Sequence, residues 1–289
     1  MKNQEKFARE IEAIAVRALL YEVSATPKPG LVDRKNNGAH KDMDFFTFVD
    51  SSTALGEVFY ECTLAGIGYS GEIEGLLQEI RPIGKMGEEK MFATTNGVNT
   101  HKGLIFSLGI IAAVIGFLYQ KNRCGSYSAD DICKQVKFMT KGLVDQELKK
   151  KTFGESLTYG ERLYVKYGIT GIRGEVASGF QTVCTHGLPV LKELMKSEKG
   201  TLNERFVQVL LCLMIYTEDS NILGRHDLDM LKRVQAKAKK VFEKGGVFSE
   251  DGLESLEALD EWCIENWVSP GGAADLLAIT IMLFLVEQL

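Results

Sequence analysis

The sequence has no pair of cysteines at the C-x-x-C spacing that zinc sites and redox motifs use. Its six cysteines are spread along the chain, and most lie within apolar helical patterns, where a free thiol behaves as a small hydrophobic side chain. This distribution argues against a disulfide framework and favours a reducing compartment. The first residues are charged and amphipathic, unlike a signal or transit peptide. We therefore expect a cytoplasmic protein.

The common nucleotide-binding and hydrolase motifs are also missing. There is no P-loop G-x-x-x-x-G-K-[ST], no strand-linked G-x-G-x-x-G and no G-x-S-x-G. The formal net charge of -5 gives no global attraction to nucleic acid or to an anionic membrane. Any nucleotide would therefore need a local basic pocket built from helices.

No segment alternates apolar and polar residues as a strand does, and no repeat or long linker is visible. Helical periodicity is present instead, as in the stripe of Phe7, Ile11, Ile14 and Ala18. The sequence predicts an all-α fold, a single multi-helix globular domain over residues 1–289. After one helix near the N-terminus and one that begins at the N-cap residue Asp44, we expect helices at 71–80, 85–94, 100–120, 128–143, 155–167, 174–197, 201–218, 227–244, 251–265 and 270–288.

One uncharged run, residues 103–120, is bounded by Lys102 and Lys121. A membrane-spanning helix needs about 20 mainly apolar residues, so this run is borderline. It contains glycines and a serine and stands alone as a long run. We predict that it forms a central buried helix.

Polar, glycine-containing segments interrupt the helices, and the one at 24–48 places both charge signs between two helices. Asp33, Asp42 and Asp44 stand there beside basic side chains. Carboxylates next to basic residues suit Mg²⁺ held by one or two acids plus substrate phosphates. They also suit general acid–base chemistry at a glycosidic centre. A solvated surface loop is the alternative.

A second segment, "GVNTHKG" (97–103), precedes the uncharged run. His101 and Lys102 fall in the first turn of the expected helix, and a basic first turn opposes the helix dipole unless an anion binds there. For this segment alone, a capped core helix with a solvated lysine is the simpler alternative.

The segment "SPGGAADLL" (269–277) begins the last expected helix, with Ser269 as N-cap. Gly271 and Gly272 in the first turn each cost about 1 kcal/mol relative to alanine. That cost indicates a steric need, such as close approach of a ligand to the backbone. Asp275 follows in the second turn, where a solvent-facing position is the simpler interpretation.

Six polar, glycine-containing blocks follow one another along almost the whole chain: "TPKPGLVDR", "GAHKDMD", "RPIGKMGEEKMF", "GVNTHKG", "GIRGE" and "SPGGAADLLA". In this order they resemble the signature blocks of triphosphoribosyl-dephospho-CoA synthases. One block departs from the pattern: many members carry an Asp-Thr-Asn start and an Arg-Gly-Gly end where this chain reads "EDSNILGRHD". The departure leaves the role of Arg225 and His226 open.

The resemblance implies an all-α enzyme that joins ATP to 3′-dephospho-CoA. In the implied reaction, the ribose 2′-hydroxyl of dephospho-CoA attacks C1′ of the ATP ribose and adenine leaves. The product would be the precursor of the citrate lyase prosthetic group, or that of malonate decarboxylase, and would pass to a holo-acyl-carrier-protein transferase. Neither nucleic acid nor membrane is an expected partner. An N-glycosidic hydrolase similar to ADP-ribosylglycohydrolases and a non-catalytic helical scaffold are the alternatives.

The resemblance and the residue types together give a set of expected site residues. Asp33, Glu88 and Glu89 are the expected catalytic acids or bases, and Asp33, Asp42 and Asp44 the expected Mg²⁺ ligands. The expected phosphate or nucleotide contacts are Lys28, Arg34, His40, His101, Lys102, Arg173, Gly271 and Gly272. Replacement of Asp33 or Lys102 by alanine is expected to abolish adenine release and to leave the fold intact.

Overall fold

Helices form all the regular secondary structure in the described part of the chain. The computed structural model describes residues 2–121, 127–148 and 157–289, and no strand occurs in those ranges. The all-α prediction is therefore confirmed. The helices are α1 Lys2–Ser24, α2 Phe45–Ala54, α3 Gly56–Gly68, α4 Ile73–Thr94, α5 Lys102–Lys121, α6 Ala129–Met139, α7 Leu143–Glu147, α8 Tyr159–Tyr167, α9 Gly171–Ser178, a π-helical turn Val183–Gly187, α10 Leu188–Lys196, α11 Leu202–Tyr216, α12 Ser220–Arg225, α13 Leu228–Glu243, a 3-10 turn Gly246–Phe248, α14 Glu250–Glu265 and α15 Gly271–Val286.

The uncharged run forms α5, which lies in the core. From Leu104 to Phe117 every residue except Phe106 is buried. The helix is long and apolar enough to cross a membrane, but 72% of its apolar window is buried inside the protein. The apolar helix α15 packs beside it, and α1 packs on both. This arrangement confirms the predicted central buried helix.

Helices α3 and α5 cross with their backbones in direct contact. A Cβ added at Gly66 would lie 2.0 Å from the carbonyl oxygen of Ala113. One added at Gly116 would lie 2.1 Å from the carbonyl oxygen of Thr63. Glycine is required at both positions because any larger residue would push the helices apart.

Polar side chains close the starts of several helices. Asp44 forms a capping box with Thr47 at the start of α2, as its predicted N-cap position requires. Thr201 and Glu204 form the same arrangement at α11. These caps satisfy N–H groups that have no partner within the helix, and they fix where each helix begins.

The predicted break between helices at 71–80 and 85–94 is wrong, because α4 continues through Pro82. A proline inside a helix removes one hydrogen bond and costs about 3 kcal/mol. Leu76, Ile80 and Met91 are buried on α4, which packs against α3 and α5. This burial outweighs the local cost of the proline.

The single helix predicted at 174–197 is also wrong. After α9 the backbone adopts left-handed conformations at Gly179 (φ +75) and Phe180 (φ +58), and the chain resumes as the π-helical turn and α10. A Cβ at Gly179 would lie 2.5 Å from the carbonyl oxygen of Cys133 on α6. The close approach of α6 thus coincides with a left-handed helix end. The helix predicted at 128–143 ends earlier than expected, because α6 stops at Met139 and the short helix α7 begins only at Leu143.

The described cysteines are free thiols, in agreement with the sequence interpretation. Burial raises the pKa of Cys62 and of Cys263 to about 12, so both stay protonated and act as apolar side chains. Cys124 lies outside the described residues. The free thiols are Cys62, Cys133, Cys184, Cys212 and Cys263.

Candidate active site

The loop between α1 and α2 (residues 25–44) folds around the buried carboxylate of Asp33. Its Oδ2 accepts hydrogen bonds from Thr26 Oγ1 at 2.7 Å and from the backbone nitrogen of Lys28 at 2.9 Å. Its Oδ1 accepts from the backbone nitrogens of Lys35 at 2.6 Å and Asn36 at 3.0 Å. The loop itself therefore uses the acceptor positions of this carboxylate.

Asp33→Ala is expected to lower the free energy of unfolding by about 2–3 kcal/mol, because it leaves buried donors without an acceptor. Chemical denaturation would measure the loss. Asp42→Ala is the matched control, since the Asp42 side chain is 65% exposed and its removal should change stability by less than about 0.5 kcal/mol. Equal stability of the two variants would contradict this role. The expectation that the fold survives loss of Asp33 intact is revised accordingly.

Helix α14 holds the loop through Asp260. Its carboxylate accepts from the backbone nitrogen of Gly30 at 2.9 Å and from Asn36 Nδ2 at 3.0 Å. Gly30 has a φ of +69, and a Cβ there would lie 2.1 Å from the carbonyl oxygen of Val268. Only glycine fits this contact.

Helix α11 holds the other side of the loop through Asn203. Its Oδ1 accepts from the backbone nitrogen of Thr26 at 2.9 Å and from Arg34 Nη2 at 3.0 Å. Arg34 Nε also donates to the carbonyl oxygen of Ser24 at 2.5 Å. The structure thus places Arg34, an expected phosphate contact, in bonds that fasten the loop.

Lys28 points into the protein and is 2% exposed. Its ammonium forms an ion pair with the buried carboxylate of Glu22 near the end of α1. Burial raises the pKa of Glu22, and the charge of Lys28 opposes that rise. Lys28 therefore reaches the interior as one half of a buried pair.

His101 precedes α5 and is 1% exposed. Its Nδ1 lies 2.7 Å from Ser51 Oγ, and its ring meets the ring of Phe48 edge-on. Burial and, to a smaller extent, the nearby charge of Lys28 lower the pKa of His101 to about 3, so the ring is neutral. Its Nε2 is buried without a hydrogen-bond partner in the described ranges. Such orphaned atoms are rare, and a bound ligand would supply the missing partner.

Asp219 joins the starts of α12 and α15. Its Oδ1 accepts from the backbone nitrogen of Asn221 at 2.9 Å, and its Oδ2 from that of Ala273 at 3.0 Å. A Cβ at Gly272 would lie 3.0 Å from the Asp219 carboxylate, and one at Gly271 2.8 Å from Asn221 Nδ2. The packing of α12 therefore accounts for the glycine pair. Their expected role in substrate approach stays a prediction.

Asp275 lies one turn into α15, with its carboxylate against the start of α5. A Cβ at Gly103 would lie 2.4 Å from Asp275 Oδ2, so glycine makes room for this carboxylate. Burial and, to a smaller extent, the negative charges of Glu22 and Asp219 raise the pKa of Asp275 well above its ordinary value. Residue 275 as a whole is partly buried.

These groups form one unit, which we call the central polar cluster: Glu22, Lys28, His101, Asp219 and Asp275. Lys28 acts electrostatically on Glu22 and His101, while Glu22 and Asp219 act on Asp275. The starts of α5, α12 and α15 meet at the cluster. Helix N-termini favour negative charge, and the Asp219 carboxylate takes this place at the starts of α12 and α15.

An open surface cavity of about 430 Å³ lies near the start of α15. Lys41 Nζ stands 4.5 Å from the centre of the Trp267 ring, and the Arg225 guanidinium lies on the same cavity. An aromatic face beside two cations suits a planar, anionic ligand. The cavity is lined by Ala39, His40, Lys41, Asp42, Arg225, His226 and Trp267.

His40 links this cavity to α15. Its Nε2 lies 2.8 Å from Ser269 Oγ. Burial and, to a smaller extent, the charge of Arg225 lower the pKa of His40 to about 4, so its ring is neutral near pH 7. The prediction of Ser269 as N-cap is wrong, because α15 begins at Gly271 with Pro270 in the cap position. The serine hydroxyl is engaged by His40 instead.

Two expected site residues form a pair at the surface, outside the cluster. Lys102 Nζ lies 2.7 Å from Glu88 Oε2, with the side chains 54% and 34% exposed. Asn99 Oδ1 accepts from the backbone nitrogen of Lys102 at 3.2 Å. Glu89 is exposed on α4. An expected base and an expected phosphate contact therefore neutralise each other in this state.

Arg173 on α9 is held by a carboxylate of α7. Its Nε donates to Glu147 Oε2 at 2.7 Å, and Arg81 pairs with the other oxygen of Glu147. Arg81 Nε is buried without a partner among the described residues. Two guanidinium groups thus share one carboxylate, which leaves local positive charge.

Comparison with known proteins identifies the family of this chain. Residues 8–289 match the family model of CitG, ATP:dephospho-CoA triphosphoribosyl transferase. The chain belongs to this family.

Relatives of this transferase align over nearly their whole length. A protein from Malonomonas rubra, named as a probable 2-(5''-triphosphoribosyl)-3'-dephosphocoenzyme-A synthase, is 38% identical over 281 residues, 96% of this chain and 88% of the relative. Proteins of the same name from Photobacterium profundum and Lactiplantibacillus plantarum are 43% identical over 277 residues and 39% identical over 273 residues. The first covers 96% of this chain and 87% of the relative, the second 93% and 94%. No solved structure matches the chain.

The triphosphoribosyl transferase does not bring its expected metal ligands together. Asp33 is enclosed by donors of its own loop, Asp42 is 65% exposed, and Asp44 caps α2. In the described ranges, no group of three or more His, Cys, Asp or Glu could hold a metal ion. Because Asp33 has no free acceptor position, these three aspartates do not fit a Mg²⁺ site.

Sequence reasoning did not assign three carboxylates of the transferase's central polar cluster. Glu22 lies within a regular helix and carries no local signal. Asp219 stands in a polar segment, but its bond to α15 depends on the fold. Asp275 follows the glycine pair, and that was the one signal that pointed to it.

Proposed function

We propose that this chain transfers the 5-triphosphoribosyl group of ATP to 3′-dephospho-CoA and releases adenine. The 2′-hydroxyl of dephospho-CoA would attack C1′ of the ATP ribose, and the triphosphate would stay on the product. The match over residues 8–289 carries the proposal. The names of relatives that align over nearly the whole chain support it.

The central polar cluster suits this chemistry. Breaking an N-glycosidic bond creates an oxocarbenium-like transition state, which nearby carboxylates stabilise. The departing base needs a proton and the attacking hydroxyl must lose one. Glu22 and Asp275 supply carboxyl groups close to the place where the starts of α5 and α15 meet.

The cavity beside Trp267 would take part of one nucleotide substrate. The Trp267 ring offers a stacking face for a purine, and Lys41 and Arg225 offer positive charge for the attached phosphates. The sequence left Arg225 and His226 without a role, and we assign them to this wall. Lys102 and Arg173 remain proposed phosphate contacts that would exchange their carboxylate partners for substrate.

Magnesium belongs to the proposal only as the counter-ion that accompanies ATP, and no step is assigned to it. The product would serve a holo-acyl-carrier-protein transferase in the cytoplasm. Citrate lyase and malonate decarboxylase both stay open as the final client.

Incubation with ATP, Mg²⁺ and 3′-dephospho-CoA, followed by mass spectrometry, tests the reaction. Free adenine and the triphosphoribosyl adduct should appear together. The 2′-deoxy analogue of dephospho-CoA, which lacks the nucleophile, should give no adduct. Adenine release from ATP alone at the same rate would contradict the proposal and favour an N-glycosidic hydrolase.

A further inference from the structure

Asp275 differs from the other buried carboxylates of the central polar cluster. Asp219 accepts backbone N–H groups of two helices, and Glu22 is paired with Lys28. Asp275 receives no hydrogen bond and no ion pair from the described residues, and only other negative charges act on it. It is therefore the carboxyl group of the cluster that is available to a ligand.

A polar group near Asp275 lacks a hydrogen-bond partner among the described residues. Glycine at 103 lets Asp275 Oδ2 pack directly against the start of α5, and residue 275 is only partly buried. Two residues before Gly103, the imidazole of His101 holds a buried Nε2 without a partner. An unpartnered nitrogen and an unpartnered carboxyl group close to the start of one helix point to a polar ligand between helices.

Burial and, to a smaller extent, the surrounding charges raise the pKa of Asp275 well above its ordinary value. The carboxylates of Glu22 on α1 and Asp219 before α12 both act to raise this pKa, and Lys28 on the loop is paired with Glu22. His101 before α5 is neutral, with a pKa of about 3. These effects favour the protonated form of Asp275. Once the proton leaves, the N-termini of α5 and α15 stabilise the anion.

We propose that Asp275 is the general acid of the triphosphoribosyl transfer and donates its proton to a ring nitrogen of the departing adenine. The proposal rests on the proposed function. As the bond from C1′ to adenine N9 breaks, its electron pair stays with adenine and the Asp275 proton neutralises the base. The 2′-hydroxyl oxygen bonds to C1′ and loses its proton to water, from which Asp275 is reprotonated. A buried acid near negative charge is how enzymes hold a carboxyl group protonated at neutral pH.

Asp275→Asn tests this role because it keeps the shape and removes the transferable proton. With ATP, kcat is expected to fall about 100- to 10,000-fold, the usual contribution of general acid catalysis. With 8-aza-ATP, whose base leaves more easily without protonation, the loss should be much smaller. Asp251→Asn, at an exposed site in the first turn of α14, is the matched control and should keep the wild-type rate.

Two further readouts separate catalysis from structure. The wild-type rate should fall as pH rises through the raised pKa of Asp275, and this fall should be absent in Asp275→Asn. The variant should also be at least as stable as the wild type near neutral pH. A carboxyl group with a raised pKa in the folded protein favours the unfolded chain above its ordinary pKa, because the unfolded chain releases the proton that the folded protein retains, and asparagine removes this cost. Thermal unfolding would check this.

The outcomes distinguish the two proposals. An equal loss of rate with ATP and 8-aza-ATP, or a wild-type rate in Asp275→Asn, would overturn the role of Asp275. Failure of the wild-type protein to release adenine from ATP in the presence of dephospho-CoA would instead overturn the proposed function itself.

Discussion

Lys28→Met is expected to lower the free energy of unfolding by about 3–5 kcal/mol, because it leaves Glu22 as an uncompensated charge in the interior. Lys28 is 2% exposed and Glu22 is 3% exposed, so water cannot replace the lost partner. Urea denaturation near neutral pH would measure the loss. The loss should shrink at acidic pH, because Glu22 can then take up a proton and become neutral.

A double variant and a surface variant give the controls. Glu22→Gln combined with Lys28→Met removes both charges and should recover most of the stability, since no unpaired buried charge remains. Lys35→Met removes a lysine that is 55% exposed and paired with Glu257 at 3.7 Å. It should change stability by less than about 1 kcal/mol. A Lys28→Met variant no less stable than Lys35→Met would refute the buried pair as a structural element.

The buried pair also affects the interpretation of any activity loss at Lys28. The sequence predicts Lys28 as a phosphate contact, and the structure shows its ammonium bound to Glu22. Loss of activity in Lys28→Met alone would therefore follow from unfolding as readily as from lost phosphate binding. The double variant resolves the two, because it restores the fold without restoring the cation.

The helices were predictable because their apolar residues recur with the helical period, and the caps at Asp44 and Thr201 begin α2 and α11. The errors arose where a local signal competes with packing. Pro82 indicates a break, but the buried face of α4 continues across it. Gly179 lies within an apparently continuous pattern, but the contact with α6 ends α9 there.

The segments that form the site were predictable from the sequence. The residues that contact one another across those segments were not. The loop at 25–44 and the starts of α5 and α15 were recognisable from polar, glycine-containing sequence. Which carboxylate has a partner depends on contacts between distant segments, such as Gly103 with Asp275. Asp33 looked catalytic because its neighbours are charged, and only the folded loop shows that backbone donors surround it.

Gly116→Ala is expected to destabilise the protein by about 3 kcal/mol, at the upper end for an overpacked core. The added methyl would lie 2.1 Å from the carbonyl oxygen of Thr63, and backbone atoms cannot rotate away. The helices α3 and α5 would have to separate along their crossing. Because His101 and Gly103 lie at the start of α5, the same shift would disturb the central polar cluster and lower activity. Thermal unfolding and the adenine-release assay would measure both effects.

Gly109→Ala and Gly84→Ala make the control series. On α5 itself, a Cβ at Gly109 would lie 3.4 Å from Cys62 Sγ, an ordinary contact, and at Gly84 on α4 it would meet nothing within 4 Å. Alanine is favoured over glycine within a helix by about 1 kcal/mol, so Gly84→Ala should stabilise the protein and Gly109→Ala should change little. A stabilising Gly116→Ala would show that the crossing tolerates a methyl group. The opposite sign at Gly84 and Gly116 separates helix propensity from backbone contact, because the chemical change is the same at both positions.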